Sequence, residues 1–543
     1  MDNRSDVVLG NALLWARNPM TRFRGGIRIR DGKIMEVFNQ KSLLEKSAMD
    51  LGGMHIIPGL IDAHRHFFIS ALLPLYGDAS VWTSKDDALC AIAAACRAVG
   101  SDRRWVFLAG FDNSKWANPA LPSIQEIDIV ALGLPVLIID STCHKGLIST
   151  EALRRTGINR AALRCPSDID INRSGRPNGT IWEDALGRVL FCMYRDIFQA
   201  YSVEEKRQII INEANRCLQK GLTHVHDPGV PADVQRLLAD AQEHTPLKIS
   251  WSVTGYESLF TSPELKDEMD ALHSPHAPKS VKFFLDGANR TAANMPVIAG
   301  LKAALKAAAN SLSQGSLAPF NLLLAQKTIL KDGKIYMPYL RFVDDDELIR
   351  RARFFTEKGY RLVMHALGNV AASQAARVVK ALDAGERSSI EHMLVMSPED
   401  LEFFAGCGAV ASIQPGFIPF YADTIERMSV VPYLKTFAMR SLISHGVTVC
   451  ISSDGPCAAD DPLHNIRRAV DRKKLDGTLF DPEESISEIQ ALTAGTIGGS
   501  DSLGIKNGGV IEGAPATFCV VDGDPFSDKS RVVQTWIDGK RAF

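Results

Sequence analysis

Through the middle of the chain, short apolar runs closed by polar residues alternate with long amphipathic stretches. Eight of these runs read as strands: Leu60 to His66, Thr223 to His226, Ile249 to Val253, Val281 to Leu285, Leu362 to His365, Ser389 to His392, Ala409 to Ile413 and Val447 to Ser452. Strands alternating with helical segments predict βα units and a parallel sheet, and eight of them fit a closed (β/α)8 TIM barrel. The two ends of the chain differ from this middle. Asp6 to Leu9 and Gly26 to Arg30 are β-like, and Asp31-Gly32 is a hairpin turn into Lys33 to Val37. Near the C-terminus, Thr517 to Val521, the turn at Asp522 to Pro525, and Val532 to Ile537 repeat that pattern. Residues 1–57 and 497–543 are therefore expected to form one composite β domain beside a barrel spanning 58–496. Two connections are too long for simple loops. Residues 68–202 read as an inserted subdomain over one barrel face, and Asn289 to Pro338 as a lid.

The 543 residues, 46 % hydrophobic and 23 % charged, have ample apolar surface for a large core, which excludes disorder as the main state. The 61 Lys and Arg against 63 Asp and Glu give a net charge of -2, so no basic excess points to nucleic acid. No polybasic block points to a membrane surface, and no apolar run has the length of a transmembrane helix. A small molecule is the expected partner. The N-terminus lacks the pattern of a signal peptide. Ten cysteines without a C-x-x-C pair read as reduced thiols, and the expected compartment is the cytoplasm.

Polar residues at the ends of the apolar runs carry the candidate chemistry. Pro58-Gly-Leu-Ile-Asp-Ala-His64-Arg-His66 ends one run with two histidines at i and i+2, which on a strand share a side. His365 and His392 end two other runs, and Ser453-Asp454 follows the last. Each alone is an ordinary histidine or a helix-capping aspartate. As an ordered set at the C-terminal ends of separate barrel strands, they predict a metal site, with Asp454 able to accept a proton. His224-x-His226-Asp227 is a rival pair at the end of the second run. Arg290 either clamps an acidic substrate group or is simply solvated.

With these residues in place, the chain resembles the amidohydrolase superfamily, in its amidohydrolase-3 or YtcJ-like branch. Beyond the residues above, the resemblance rests on Ala109-Gly-Phe-Asp112 with Trp116, and on Asp140-Ser-Thr-Cys-His144 followed by Glu151-Ala-Leu153. Val281-Lys-Phe-Phe-Leu-Asp-Gly287, Gln414-Pro415 and Asp461-Pro-Leu463 extend it over nearly the whole chain. It implies that the composite terminal domain is a β-sandwich and the barrel a metal-dependent hydrolase, usually with zinc. It further implies that His64, His66, His365 and His392 are ligands and that Asp454 transfers protons. Lys282 matches a lysine that in related enzymes is carboxylated and bridges two metals; without the modification it would pair with Asp286. The resemblance turns His144 toward the active site, where it binds a substrate carbonyl or carboxylate or is a structural histidine. It moves the metal pair to His64 and His66, leaving His224 and His226 to hydrogen bonding or wall packing. Homodimerisation is an expectation at family level only.

The implied activity is hydrolysis of a non-peptide, amide-type C–N bond by metal-activated hydroxide. A heterocycle deaminase on the same barrel is the alternative. Such enzymes often carry a proton-shuttling Glu three residues after the fifth-strand histidine, where this chain has Gly368. A non-catalytic metal-binding barrel is a third reading. Two departures from the family stand out. Only Ala288-Asn289 separates Gly287 from Arg290, where a longer Gly-Ser stretch is common. Gly513-Ala-Pro-Ala-Thr517 also lacks the usual aspartate.

Overall fold

The computed structural model describes residues 6–39, 49–99, 105–163, 165–254, 273–288, 290–314, 328–427, 433–505 and 509–543. Eight strands form one parallel sheet: β1 (Leu60–Asp62), β2 (Leu222–Pro228), β3 (Lys248–Thr254), β4 (Ser280–Phe284), β5 (Arg361–Ala366), β6 (Ser388–His392), β7 (Val410–Ile413) and β8 (Val449–Ile451). Their hydrogen-bonded order follows the chain from β1 to β8. Helices between them, among them Ala232–Gln242, Asn369–Ala381 and Pro398–Ala405, cover the outside. β2, β5, β6, β7 and β8 are buried at every position, as expected of strands packed on both faces.

The sheet is a nearly closed barrel. β1 and β8 are the ends of its order, and side chains and loops bridge the seam. Asp62 accepts from the backbone N–H of Ser453 at 2.9 Å and from its hydroxyl at 2.5 Å. The N–H of Asp454 donates to the carbonyl of His64 at 2.8 Å. All eight expected runs overlap observed strands, but the first ends at Asp62, not at His66. The N–H of Arg65 turns to the carbonyl of His226 at 3.0 Å, and that of His66 to the carbonyl of Gly455 at 2.9 Å. The chain thus leaves the regular ladder after Asp62 while still bonding β2 on one side and the turn after β8 on the other.

Strands from both ends of the chain share a second, eight-stranded sheet. Its strand His55–Pro58 pairs parallel with Val7–Ala16 and antiparallel with Phe518–Asp522, and it leads directly into β1. Between β1 and β2 lies a six-stranded sheet in the order Ile169–Ile171, Pro177–Trp182, Lys145–Ile148, Val136–Asp140, Val106–Phe111 and Gly77–Asp78. The described part of the segment expected to be a lid holds a helix, Val297–Gln314, and a three-stranded antiparallel sheet. Residues 315–327 of it lie outside the described residues. No helix among the described residues is long and apolar enough to cross a membrane.

Candidate active site

His64 and His66 no longer lie on a strand, yet their rings converge. The Nε2 atoms of both stand 3.3 Å from Oδ1 of Asp454. One ligand atom from each of these three residues fits within a sphere of contacts no wider than 4.8 Å. Asp454 reaches this position with a left-handed backbone, φ 53°, and His392 with φ 78°. Non-glycine residues rarely adopt such values, and they cluster at functional sites. His392 completes the group: its ring centroid is 4.9 Å from that of His64 and 4.4 Å from that of His365.

Buried partners decide which nitrogen of each ring faces the centre. Nδ1–H of His64 donates to Oε2 of Glu391 at 2.7 Å, leaving the Nε2 lone pair turned inward. Although burial opposes it, the His64 ring beside Glu391 holds that carboxyl down at about 2. Nδ1–H of His392 donates to Oε1 of Gln414 at 2.9 Å, and Gln414 is itself anchored on Ser452 at 2.8 Å. Partners of this kind orient metal-binding histidines. Burial keeps His64, His365 and His392 below the ordinary imidazole range, the last at about 3. Burial would raise the Asp454 carboxyl, but the surrounding histidines outweigh it and hold it far below the usual range.

Two atoms at this centre are buried without a hydrogen-bond partner: Oδ1 of Asp454 and Nε2 of His365. Such orphans are rare in proteins and call for an ion, a water or a ligand. A set of imidazole nitrogens and one carboxylate suits zinc and its neighbours. The donor set therefore fits a divalent metal.

Lys282 is fully buried on β4, with Nζ 3.5 Å from Nε2 of His64. Burial pushes its ammonium down to about 8. The ion pair with Asp286 that an unmodified Lys282 would make does not form. The strand ends at Phe284, and Asp286 instead accepts the backbone N–H groups of Ala292, Leu367 and Gly368, each at 2.9 Å.

His144 reaches the site from the inserted sheet, its ring centroid 5.3 Å from that of His365. Burial disfavours its charged form, but the Glu183 carboxylate at 2.6 Å prevails and holds His144 up at about 9. Arg290 is engaged elsewhere. Its guanidinium donates to the Ser167 carbonyl at 2.7 Å and to Asp170 at 3.1 Å, pairs with Asp168, and lies over the Trp182 ring. The rival pair sits on serines. His224 and His226 both contact the Ser250 hydroxyl at 2.8 Å, and His226 contacts that of Ser252 at the same distance. Sequence reasoning passed over Glu391, Gln414 as a ring anchor, and Glu183. Glu391 stands one residue before His392, and that adjacency was the only signal it offered.

Residues 47–543 match the profile of the Amidohydrolase family. The chain is 25 % identical to an N-substituted formamide deformylase of Arthrobacter pascens, over 99 % of this chain and 98 % of that protein. It is also 25 % identical to the putative amidohydrolase YtcJ of Bacillus subtilis, over 92 % and 91 % respectively. An uncharacterized metal-dependent hydrolase from Pyrococcus horikoshii shares the fold with a TM-score of 0.69 at 19 % identity, over 97 % of this chain and 99 % of that one.

Proposed function

Because the chain belongs to the amidohydrolase family, we propose that it is a metal-dependent hydrolase that cleaves an amide-type C–N bond, other than a peptide bond, in a small molecule. The observation that carries this reading is the convergence of His64, His66 and Asp454, with Oδ1 of Asp454 buried and unpartnered. His64, His66, His365 and His392 would hold the metal, with zinc the first expectation. A bound divalent cation supplies Lewis-acid activation of water and of the scissile carbonyl. The protein supplies the rest. Glu391 and Gln414 fix two rings before substrate arrives. Asp454, held as a carboxylate, takes a proton from the attacking water and returns it to the departing nitrogen. The Arthrobacter relative is named for N-substituted formamides; these, N-acyl amino acids and cyclic amides form the substrate panel.

The deaminase reading is weaker for a steric reason. At Gly368 a Cβ would lie 2.1 Å from the Ala292 carbonyl oxygen, so no shuttling Glu fits at that backbone position. Elemental analysis of the purified protein, followed by assay of Asp454→Asn, tests the proposal. One or two ions per chain are expected, two implying carboxylated Lys282 as the bridge. The variant should retain metal and lose turnover by about 10²–10⁴-fold. A chain that takes up no metal, or an Asn variant with full turnover, overturns the mechanism. Ammonia release from nucleobases would restore the deaminase.

A further inference from the structure

We infer that Glu183 is a positioning residue of the substrate site, clamping His144 so that the imidazole Nε2 faces the substrate's amide group beside His365. The inference rests on the hydrolase reading above and adds a residue to it. Lys145 and Trp182 are a directly opposed pair in the inserted sheet, and His144 and Glu183 are the residues immediately beyond the ends of the two strands. Two bonds join them. The backbone N–H of Glu183 donates to the carbonyl of His144 at 3.1 Å, and Nδ1–H of His144 donates to Oε2 of Glu183 at 2.6 Å. Ring and backbone are thus held by the same residue, which fixes the ring in two directions. Among the described residues no other side chain or backbone group bonds the His144 ring, so Nε2 is left without a protein partner on a ring whose centroid lies 5.3 Å from that of His365.

Three further features of Glu183 are hard to explain if it only caps a helix. Its backbone is left-handed, φ 40°, at the first residue of the helix Glu183–Phe198. Its carboxylate occupies a slot made by a different part of the chain, because a Cβ on Gly287 would lie 1.9 Å from Oε1. The loop after β4 therefore packs against the inserted segment at this side chain, as it also does through Arg290. Finally, Glu183 is 94 % buried by side chain, yet Oε1 has no hydrogen-bond partner. A buried carboxylate with an unpaired oxygen is costly to the fold, and its return is a preoriented His144.

The test uses holoenzyme labelled with nitrogen-15 histidine, with Glu183→Gln, Glu183→Ala, His144→Gln and Gly287→Ala. Glutamine still accepts from Nδ1–H; alanine does not. In the wild type, a ring-proton resonance shifted downfield by the carboxylate is expected. It should vanish in Glu183→Ala and His144→Gln and persist, moved upfield, in Glu183→Gln. With an N-substituted formamide or N-acyl amino acid as the probe turned over, kcat/KM should fall about tenfold or more in Glu183→Ala. It should fall equally in His144→Gln, no further in the double variant, and only slightly in Glu183→Gln. Gly287→Ala, which leaves both partners intact but displaces the carboxylate, should reproduce the loss at unchanged metal content. Wild-type kinetics in Glu183→Ala, strictly additive losses in the double variant, or a resonance that survives without Glu183 would each overturn the clamp. A wild-type protein inactive on every amide probe would refute the hydrolase reading instead, and the resonance would still decide whether the clamp exists.

Discussion

Glu391 governs His64 through one short bond, and that bond has a measurable consequence. An ionised carboxylate on Nδ1 fixes the tautomer and makes the opposite nitrogen a better ligand. Glu391→Gln should weaken metal binding about 10–100-fold in a chelator competition; unaltered affinity would mean that His64 is not oriented this way. Gly368 offers a second test at this scale. The Ala292 carbonyl approaches it too closely for any side chain, and its N–H is one of three held by Asp286. Gly368→Ala should therefore lower stability by about 1–3 kcal/mol in denaturant titration. Equal stability would show that the loop yields freely. The histidines and Asp454 were legible in the sequence because polar residues ending apolar runs are conspicuous. Glu183 and Glu391 were not, because a glutamate beside Trp182 or His392 looks like any other. Their importance arises only from partners 39 and 327 residues away in the chain.

The barrel strands were legible for the same reason that they are buried. The run Arg361–Ala366 carries Leu362 and Met364 on one face and Val363 on the other before His365, and Ser388–His392, buried throughout around Ile390, ends at His392. What periodicity could not show was where β1 stops, since the bend after Asp62 depends on the carbonyls of His226 and Gly455. Nor could it show how the first and last strands meet. The seam is closed by Asp62 on Ser453, backed by Arg65, which is buried and bonded to Glu213 and Asp460. The two sides of this seam carry His64 and His66 on one edge and Asp454 on the other. Removing Asp62 leaves a buried N–H and hydroxyl unpaired, each worth about 1–3 kcal/mol. Asp62→Ala should accordingly lose stability and metal affinity together. Loss of stability with metal affinity intact would show that the centre is held by its own ligands and not by the seam.

At the level of the whole molecule, the proposed centre is a small part of a large core. A continuous apolar cluster runs from Phe67 and Leu222 through Val281, Leu362 and Ile390 to Ile451 and Leu492, and a separate cluster of Leu9, Ile27, Ile56, Phe518 and Val520 fills the terminal sheet. Neither depends on a metal for closure, unlike small domains whose metal site is the core. The metal should then act on stability only by mass action, RT ln(1 + [L]/Kd), which is about 4 kcal/mol at a thousandfold excess over Kd. Chelation should abolish turnover while leaving far-ultraviolet circular dichroism unchanged. It should lower the denaturation midpoint by an amount that scales with the logarithm of free zinc in back-titration. The buried orphans, Oδ1 of Asp454 and Nε2 of His365, give the apo protein a reason to be strained at the mouth and none to unfold. Collapse of the dichroism on chelation would mean that ligand repulsion in the empty centre outweighs the surrounding core, and that the barrel needs its metal to stay folded.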